Sequence, residues 1–329
     1  MKKPTHKIYR TTNWPAYNRA LMSRGNIAIW FDPATQWYAP SKGKQGRNQT
    51  YSDAAIQCCL MIKSLFRLSL GMVTGFVQSL IKLCGLNWTA PNYSTLCKRQ
   101  KHIDIAINYQ KSSGGLNLLV DSTGLKFLGE GEGEGEGEGE GEGEGEWKRK
   151  KHGPEYRRQW RKLHIGIDAE TLQIRAIQLT TNNVSDSQVL GDLLDQIPQD
   201  EQIDSVYTDG AYDTKQCRQV IADRQAHAVI PPRKNAKPWK DTKISSLARN
   251  ELLRTVNLAK QCFSGRTLWK KWSGYHCRSL VETKMYCIKL LGDKLSARKF
   301  DSQVNEIHAR VAVLNRFTEL GRPLTQVTP

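Results

Sequence analysis

From about residue 115 the apolar residues change their spacing, and this change restricts the fold more than any other feature of the chain. Before it, "YSDAAIQCCLMIKSLFRLSLGMVTGFVQSLIKLCGL" carries its apolar residues at helical spacing. After it, "GLNLLVDSTG" is a short buried run ending in an acidic turn, and "KLHIGIDAE" alternates Leu163, Ile165 and Ile167. "LQIRAIQLT" follows as a strand partner. The next segments read as helix ("SDSQVLGDLLDQI", with Ser185 as a cap), strand ("IDSVYTDGAYD") and helix ("TKQCRQVIADRQ"). A short strand, "HAVIPPRK", is stopped by two prolines, and a late helix closes the series. Three strands, then helix, strand, helix, strand, predict an α/β domain with a mixed sheet and helices packed on it.

The segment ahead of the change has a different character. Residues 1 to about 50 are polar and aromatic, with Trp14, Tyr17, Trp30, Trp37 and Tyr38, and end in the basic loop "SKGKQGRNQT". Two helices follow, with Ser52 as N-cap and a break expected at Gly71 or Gly75. "YSTLCKRQKH" then reads as a short helix that brings Ser94, Thr95, Lys98 and Arg99 together. Three short helices, the last polar and basic, suit a helix-turn-helix arrangement that contacts DNA, and equally a helical bundle that only packs against the next domain. The expected organisation is a helical DNA-binding region over 1–110, with its helix-turn-helix-like part at about 52–102. A ribonuclease-H-like domain would span 111–312, with a tail at 313–329.

Charge indicates the partner. Lysine and arginine outnumber aspartate and glutamate 49 to 32, a net +17. The tract 129–146 is nine Gly-Glu pairs, so the rest of the chain carries +26. An excess of this size favours a nucleic acid. The most apolar stretch is broken by Lys63 and Arg67, which argues against a membrane span. "MKKPTHKIYRTTNWP" has no apolar core behind its basic residues, so no secretory signal is expected. Eight cysteines show no CxxC pair and no Cys/His ligand spacing, which suits a reducing cytoplasm without structural zinc or disulfides. Alternating Gly and Glu cannot bury apolar surface, so the tract is expected to be a lengthened, disordered hairpin loop. It runs into the basic stretch 147–162. A repeat expansion tolerated by a loop accounts for it better than an acidic decoy of DNA. A second basic stretch, 233–272, holds eleven basic and two acidic residues and is expected to wall a DNA channel.

Moving a phosphoryl group between oxygens needs an activated nucleophile, a stabilised leaving oxygen and neutralised charge at phosphorus. A pair of divalent ions supplies all three, and Mg²⁺ takes carboxylate ligands. Asp121 in "LLVDSTG" and Asp209 in "VYTDGAYD" are expected to close two strands, and Glu282 lies on the late helix. Asp168, Asp204 and Asp213 compete, but a hairpin turn accounts for Asp168 and a helix cap for Asp213. In "YHCRSLVETKMYCIK", residues 275–289, Tyr275, Arg278, Glu282 and Lys289 share an arc of about 60° if the segment is one helix. A solvated salt-bridge face would give the same arc. Trp269 and Trp272 in "LWKKWSG" suit either core packing or stacking on an unpaired base.

The joint pattern is more specific than its parts. Tyr275-x2-Arg278-x3-Glu282-x6-Lys289 resembles the Y-x2-R-x3-E-x6-K signature of bacterial insertion-sequence DDE transposases. "DSTG" and "TDGAYD" resemble the segments carrying their first two acids. "YSDAAI", "GFVQSL", "PNYSTL", "RQWRKLHIGID" and "RTLWKKWSGY" extend the resemblance to the insertion sequence 5 family over most of the chain. The resemblance implies a ribonuclease-H-like domain with Asp121, Asp209 and Glu282 as ligands of two Mg²⁺ ions, which Mn²⁺ can replace. It implies binding of terminal inverted repeats, strand cleavage, and attack of the freed 3′-hydroxyl on target DNA. Arg278 and Lys289 would hold phosphates and Tyr275 a sugar or phosphate. A homodimer that joins two ends, working at the bacterial nucleoid, is implied as well. The Gly-Glu tract departs from the family, where a short turn is expected. Two other readings predict the same salt-sensitive DNA affinity: an inactive copy that competes for DNA ends, and a metal-dependent nuclease of the same fold.

Overall fold

The computed structural model describes residues 8–41, 48–127, 160–233, 235–262 and 265–328. The Gly-Glu tract, most of the basic stretch 147–162 and most of the loop 41–50 lie outside them. In chain order, the first elements are β1 (Ile8–Thr11), α1 (Trp14–Arg24), α2 (Asp53–Phe66), α3 (Leu70–Leu83) and α4 (Tyr93–Gln100). Then come β2 (Leu116–Phe127), β3 (Trp160–Asp168), β4 (Ile174–Thr181), α5 (Asp186–Asp195), β5 (Ile203–Tyr207), α6 (Lys215–Asp223) and β6 (His227–Val229). The last are α7 (Ile244–Cys262), α8 (Gly265–Trp272), α9 (Ser279–Leu290), β7 (Lys294–Leu295), α10 (Phe300–Leu320) and β8 (Thr325–Thr328). The chain divides into two compact units, one of residues 1–111, 171–174 and 305–329, the other of 112–170 and 175–304.

The first unit is helical. Its core joins Ile56 and Leu60 of α2, Val73, Val77 and Ile81 of α3, Leu96 of α4, and Ala309 and Ala312 of α10. The helices α2, α3 and α4 each have an N-cap that accepts a backbone N–H: Ser52 from Ala55, Ser69 from Met72 and Asn92 from Thr95. The break between α2 and α3 falls at Arg67, whose φ of 51° is left-handed, and not at Gly71 or Gly75, which lie inside α3. The cap at Ser69 starts the new helix, and both glycines are tolerated within it. The two axes differ by 109°. Among the described residues no single helix is long and apolar enough to cross a membrane. Residues 306–320, "EIHARVAVLNRFTEL", form a closing helix as their sequence suggests and continue α10 past the domain boundary expected at 312, and β8 pairs antiparallel with β1.

The second unit is a mixed six-stranded sheet flanked by helices, compatible with a ribonuclease-H-like fold. The strand order is β4-β3-β2-β5-β6, and β7 pairs with β2 further along its length. β3 runs antiparallel to β2, while β5 and β7 run parallel to it. Leu116, Leu118 and Val120 pack with Val189, Leu190, Leu193 and Leu194 of α5 and with Cys217 and Ile221 of α6. Alternation along β2 turns Leu119 and Asp121 to the other face, where α9 packs on β2 and β3.

One buried base makes this sheet acid-sensitive. His164 of β3 is fully buried, with Nε2 2.9 Å from Thr180 Oγ1 and Nδ1 3.5 Å from Asp186 Oδ1. Burial lowers its pKa from 6.5 to about 4, although Asp186 works the other way. The folded value lies below the unfolded one. The contribution is therefore complete above pH 6.5 and is lost as pH falls from there towards 4. The loss is on the order of 3 kcal/mol. Denaturant melts of His164→Gln between pH 7 and 4 should lose that much less stability than wild type.

Candidate active site

The site lies in a gap on one edge of β2. β5 pairs with β2 only through Leu119, opposite Tyr207, and β7 pairs only with Lys126 and Phe127. Between them the edge has no strand partner among the described residues, and Asp121 stands there, opposite Ile165 of β3 on the other side. It thus lies mid-strand rather than at the strand end expected from sequence, because β3 extends the pairing to Lys126. Two residues beyond the end of β5 comes Asp209, the N-cap of a 3-10 turn at Gly210–Tyr212, whose carboxylate accepts the N–H of Ala211 at 2.8 Å. The third segment is a 3-10 turn at Tyr275–Arg278 running directly into α9. A single α-helix over 275–289 does not form. Gly274, at φ 66°, launches the tighter turn, which advances about 120° per residue and shifts Tyr275 from its predicted bearing.

Arg278 organises the charges. One nitrogen, Nη2, donates to Asp121 Oδ2 at 2.6 Å, and the other, Nη1, to Glu282 Oε1 at 2.8 Å. Asp121 is 9% exposed, and its second oxygen accepts the N–H of Ser122 at 2.9 Å. Burial raises its pKa, Arg278 and the Ser122 N–H oppose the rise, and the charge of Asp209 adds to it. Burial works to lower the pKa of Arg278, but Asp121, Tyr275, Asp209 and Glu282 outweigh it and the net shift is upward. Burial likewise raises the Tyr275 phenol, with Arg278 opposing and all three carboxylates adding to the shift. Asp121, Asp209 and Glu282 therefore share one electrostatic neighbourhood around a single guanidinium.

Two family models, both described as a transposase DDE domain, match the chain, one over residues 22–130 and the other over 113–316. The second covers more than half of the chain, including all three acids. The chain belongs to the DDE transposases. It is thus a DNA-cutting and joining enzyme whose partner is DNA, and DDE domains usually use divalent metal ions.

The transposase's acids suit such ions in donor chemistry and in charge. Their oxygens are hard donors, and three carboxylates around one guanidinium leave negative charge for a cation to neutralise. Among the described residues no group of three His, Cys, Asp or Glu side chains is arranged to hold a metal. Arg278 stands between Asp121 and Glu282 and takes one oxygen of each. Asp209 makes no hydrogen bond to that guanidinium and acts on it through its charge alone.

The other predicted residues of the transposase divide by environment. Tyr275 is 9% exposed, with its ring 5.6 Å from that of Trp269 and 5.1 Å from Lys270 Nζ. Trp272 is exposed, and Lys289 is half-buried in the last turn of α9. In the first unit, Ser94 and Lys98 are exposed, and the Ser94 hydroxyl donates to Asn92 Oδ1. The backbone N–H of Thr95 completes the Asn92 cap. Arg99 is engaged inside its own unit: it donates to the Tyr51 carbonyl at 2.9 Å and pairs with Asp53.

Asp213 is the residue that the sequence reading undervalued. Thr214, and not Asp213, caps α6 by accepting the N–H of Cys217. Asp213 is 6% exposed and accepts from Arg218 Nε at 2.9 Å, Arg249 Nη2 at 3.1 Å and the Arg233 N–H at 3.3 Å. Arg233 in turn donates to the carbonyls of Gly210 at 3.0 Å and Ala211 at 2.7 Å. The turn behind Asp209 is therefore clamped by a buried ion cluster whose members lie up to 36 residues apart. No local motif announces an acid paired at that range.

Proposed function

We propose that the chain binds the terminal inverted repeats of an insertion sequence and catalyses Mg²⁺-dependent strand cleavage followed by transfer of the freed 3′-hydroxyl into target DNA. The observation that supports this reading is the pairing of Asp121 and Glu282 with Arg278, with Asp209 near enough for its charge to act on Asp121 and Arg278. In this reading Asp121, Asp209 and Glu282 hold two Mg²⁺ ions, replaceable by Mn²⁺. Bound there, the ions supply charge neutralisation at phosphorus and a more acidic attacking oxygen. Arg278 exchanges its carboxylates for a phosphate flanking the scissile bond. Lys289, eleven residues further on, holds a second phosphate, and Tyr275 braces the backbone between. Phosphate contacts of this kind position the strand without reading it.

Recognition of the ends falls to the helical unit, through the exposed Ser94 and Lys98 of α4. Arg99 anchors that helix through Asp53 and Tyr51, so its part in DNA binding is indirect. Trp269, packed on Tyr275, has a bracing role, and the exposed Trp272 is the better stacking surface for an unpaired base. Two protomers, one for each end, complete the assembly.

The test is incubation of purified protein with supercoiled plasmid carrying candidate inverted repeats, with and without Mg²⁺. Cuts at the repeat ends and inserted products, both dependent on Mg²⁺, are expected. Random nicking would instead make the protein a nuclease, and binding without cuts an inactive competitor.

A further inference from the structure

Beside the Asp209 turn lies a cleft of about 460 Å³, lined by Gly210, Ala211, Pro231, Pro232, Arg233, Arg266 and Lys270. Its charge is one-sided. Arg233 donates to the Gly210 and Ala211 carbonyls, Arg266 donates to the Pro232 carbonyl at 2.7 Å, and Lys270 lies over the Tyr275 ring. None of the three pairs with a carboxylate among the described residues. Three cations held in place by neutral partners leave a concave surface with uncompensated positive charge, which attracts an anion. The cleft starts one residue past Asp209, and Lys270 touches Tyr275, so an anion seated there lies next to the acid cluster.

Size and lining narrow the ligand. A volume in the range of small-molecule pockets exceeds what a bare phosphate fills. The wall of Pro231, Pro232 and Ala211 offers apolar contact to a sugar or base edge. We propose that this cleft seats one nucleotide of a DNA strand entering the active site, with its phosphate on Arg266 and Lys270. Arg233 is a positioning residue: it ties the cleft to the Asp209 turn while contributing charge. The assignment rests on the transposase reading and adds a strand contact outside the Tyr275, Arg278 and Lys289 set.

The test uses the full chain and a single-stranded oligonucleotide of about 20 nucleotides. Lysines are acetylated with and without saturating oligonucleotide and quantified by mass spectrometry. Lys215, already paired with Asp241 at 3.1 Å, serves as the control. Acetylation of Lys270 should slow at least fivefold while Lys215 changes less than twofold. The double variant Arg266→Ala, Lys270→Ala should lose about 0.7 to 1.4 from the slope of log affinity against log salt, one or two phosphate contacts. Unchanged Lys270 reactivity on saturated wild-type protein overturns the proposal without requiring any variant. Equal protection by millimolar inorganic phosphate overturns it too, since the ligand is then a free anion. Mg²⁺-dependent plasmid cleavage, scored separately, distinguishes failure of the cleft from failure of the catalytic reading.

Discussion

Asp209→Asn is expected to give a protein that folds and holds DNA but no longer cuts it. Asparagine keeps the shape and the oxygen that accepts the Ala211 N–H at 2.8 Å, so the 3-10 turn survives. The variant loses a full negative charge at the one point where three carboxylates share a neighbourhood. If that charge holds a divalent ion, cleavage falls at least about a thousandfold, or about 4 kcal/mol in the barrier. Binding moves the other way, if at all. A polyanion meets one fewer like charge, and the lysines and arginines that set the salt dependence are untouched. End-binding within about twofold of wild type, with no detectable nicked plasmid, is the expected pair of results. A variant that still joins strands would remove Asp209 from the metal site.

The largest effect on stability is expected at Asp213. Burial opposes its charge, but Arg249 and Arg218 outweigh burial and hold its pKa below the usual carboxylate range. The folded value is below the unfolded one. The stabilisation is therefore complete above the unfolded pKa, near 4, and fades as pH falls below it. At neutral pH, Asp213→Asn leaves Arg218 and Arg249, 4% and 2% exposed, without their counter-charge. Breaking a buried pair from one side costs about 3–5 kcal/mol. That corresponds to a fall on the order of 10 °C in melting temperature for a unit of this size. The gap between variant and wild type should narrow in melts below pH 4. A melting temperature within 2 °C of wild type at pH 7 would show that the cluster is not electrostatically coupled. Because Arg233 links Asp213 to Gly210 and Ala211, the variant should also lose cleavage beyond what partial unfolding explains.

The two predictions mark what was and was not legible in the sequence. The succession of strands and helices could be read because buried strands announce themselves locally: Leu163, Ile165 and Ile167 alternate, and all three are fully buried. The acids were legible as candidates because each closes or follows an apolar run. The length of β2 was not legible, since its continuation past Asp121 depends on β3, which returns from beyond the Gly-Glu tract. The helical wheel failed at Tyr275 because the four residues after Gly274 take the tighter turn, and periodicity alone does not distinguish the two over so short a span. The partner of Arg99 was hidden for a related reason. A basic residue on a short polar helix reads as a DNA contact until Asp53, distant in sequence, is placed beside it. The Asp213 cluster joins α6, α7 and the segment after β6, so only the folded chain brings its charges together.

Arg278 connects the resting site to the working one. It neutralises Asp121 and Glu282 at 2.6 and 2.8 Å, contacts that an incoming ion and phosphate would replace. The most direct measurement is the anomalous scattering of Mn²⁺ in crystals of the protein with DNA ends. A peak about 2.2 Å from carboxylate oxygens of Asp121 and Asp209, with Arg278 turned onto a phosphate, is the predicted result. A peak elsewhere, or Arg278 still bridging Asp121 and Glu282 while DNA is bound and Mn²⁺ saturating, would contradict it.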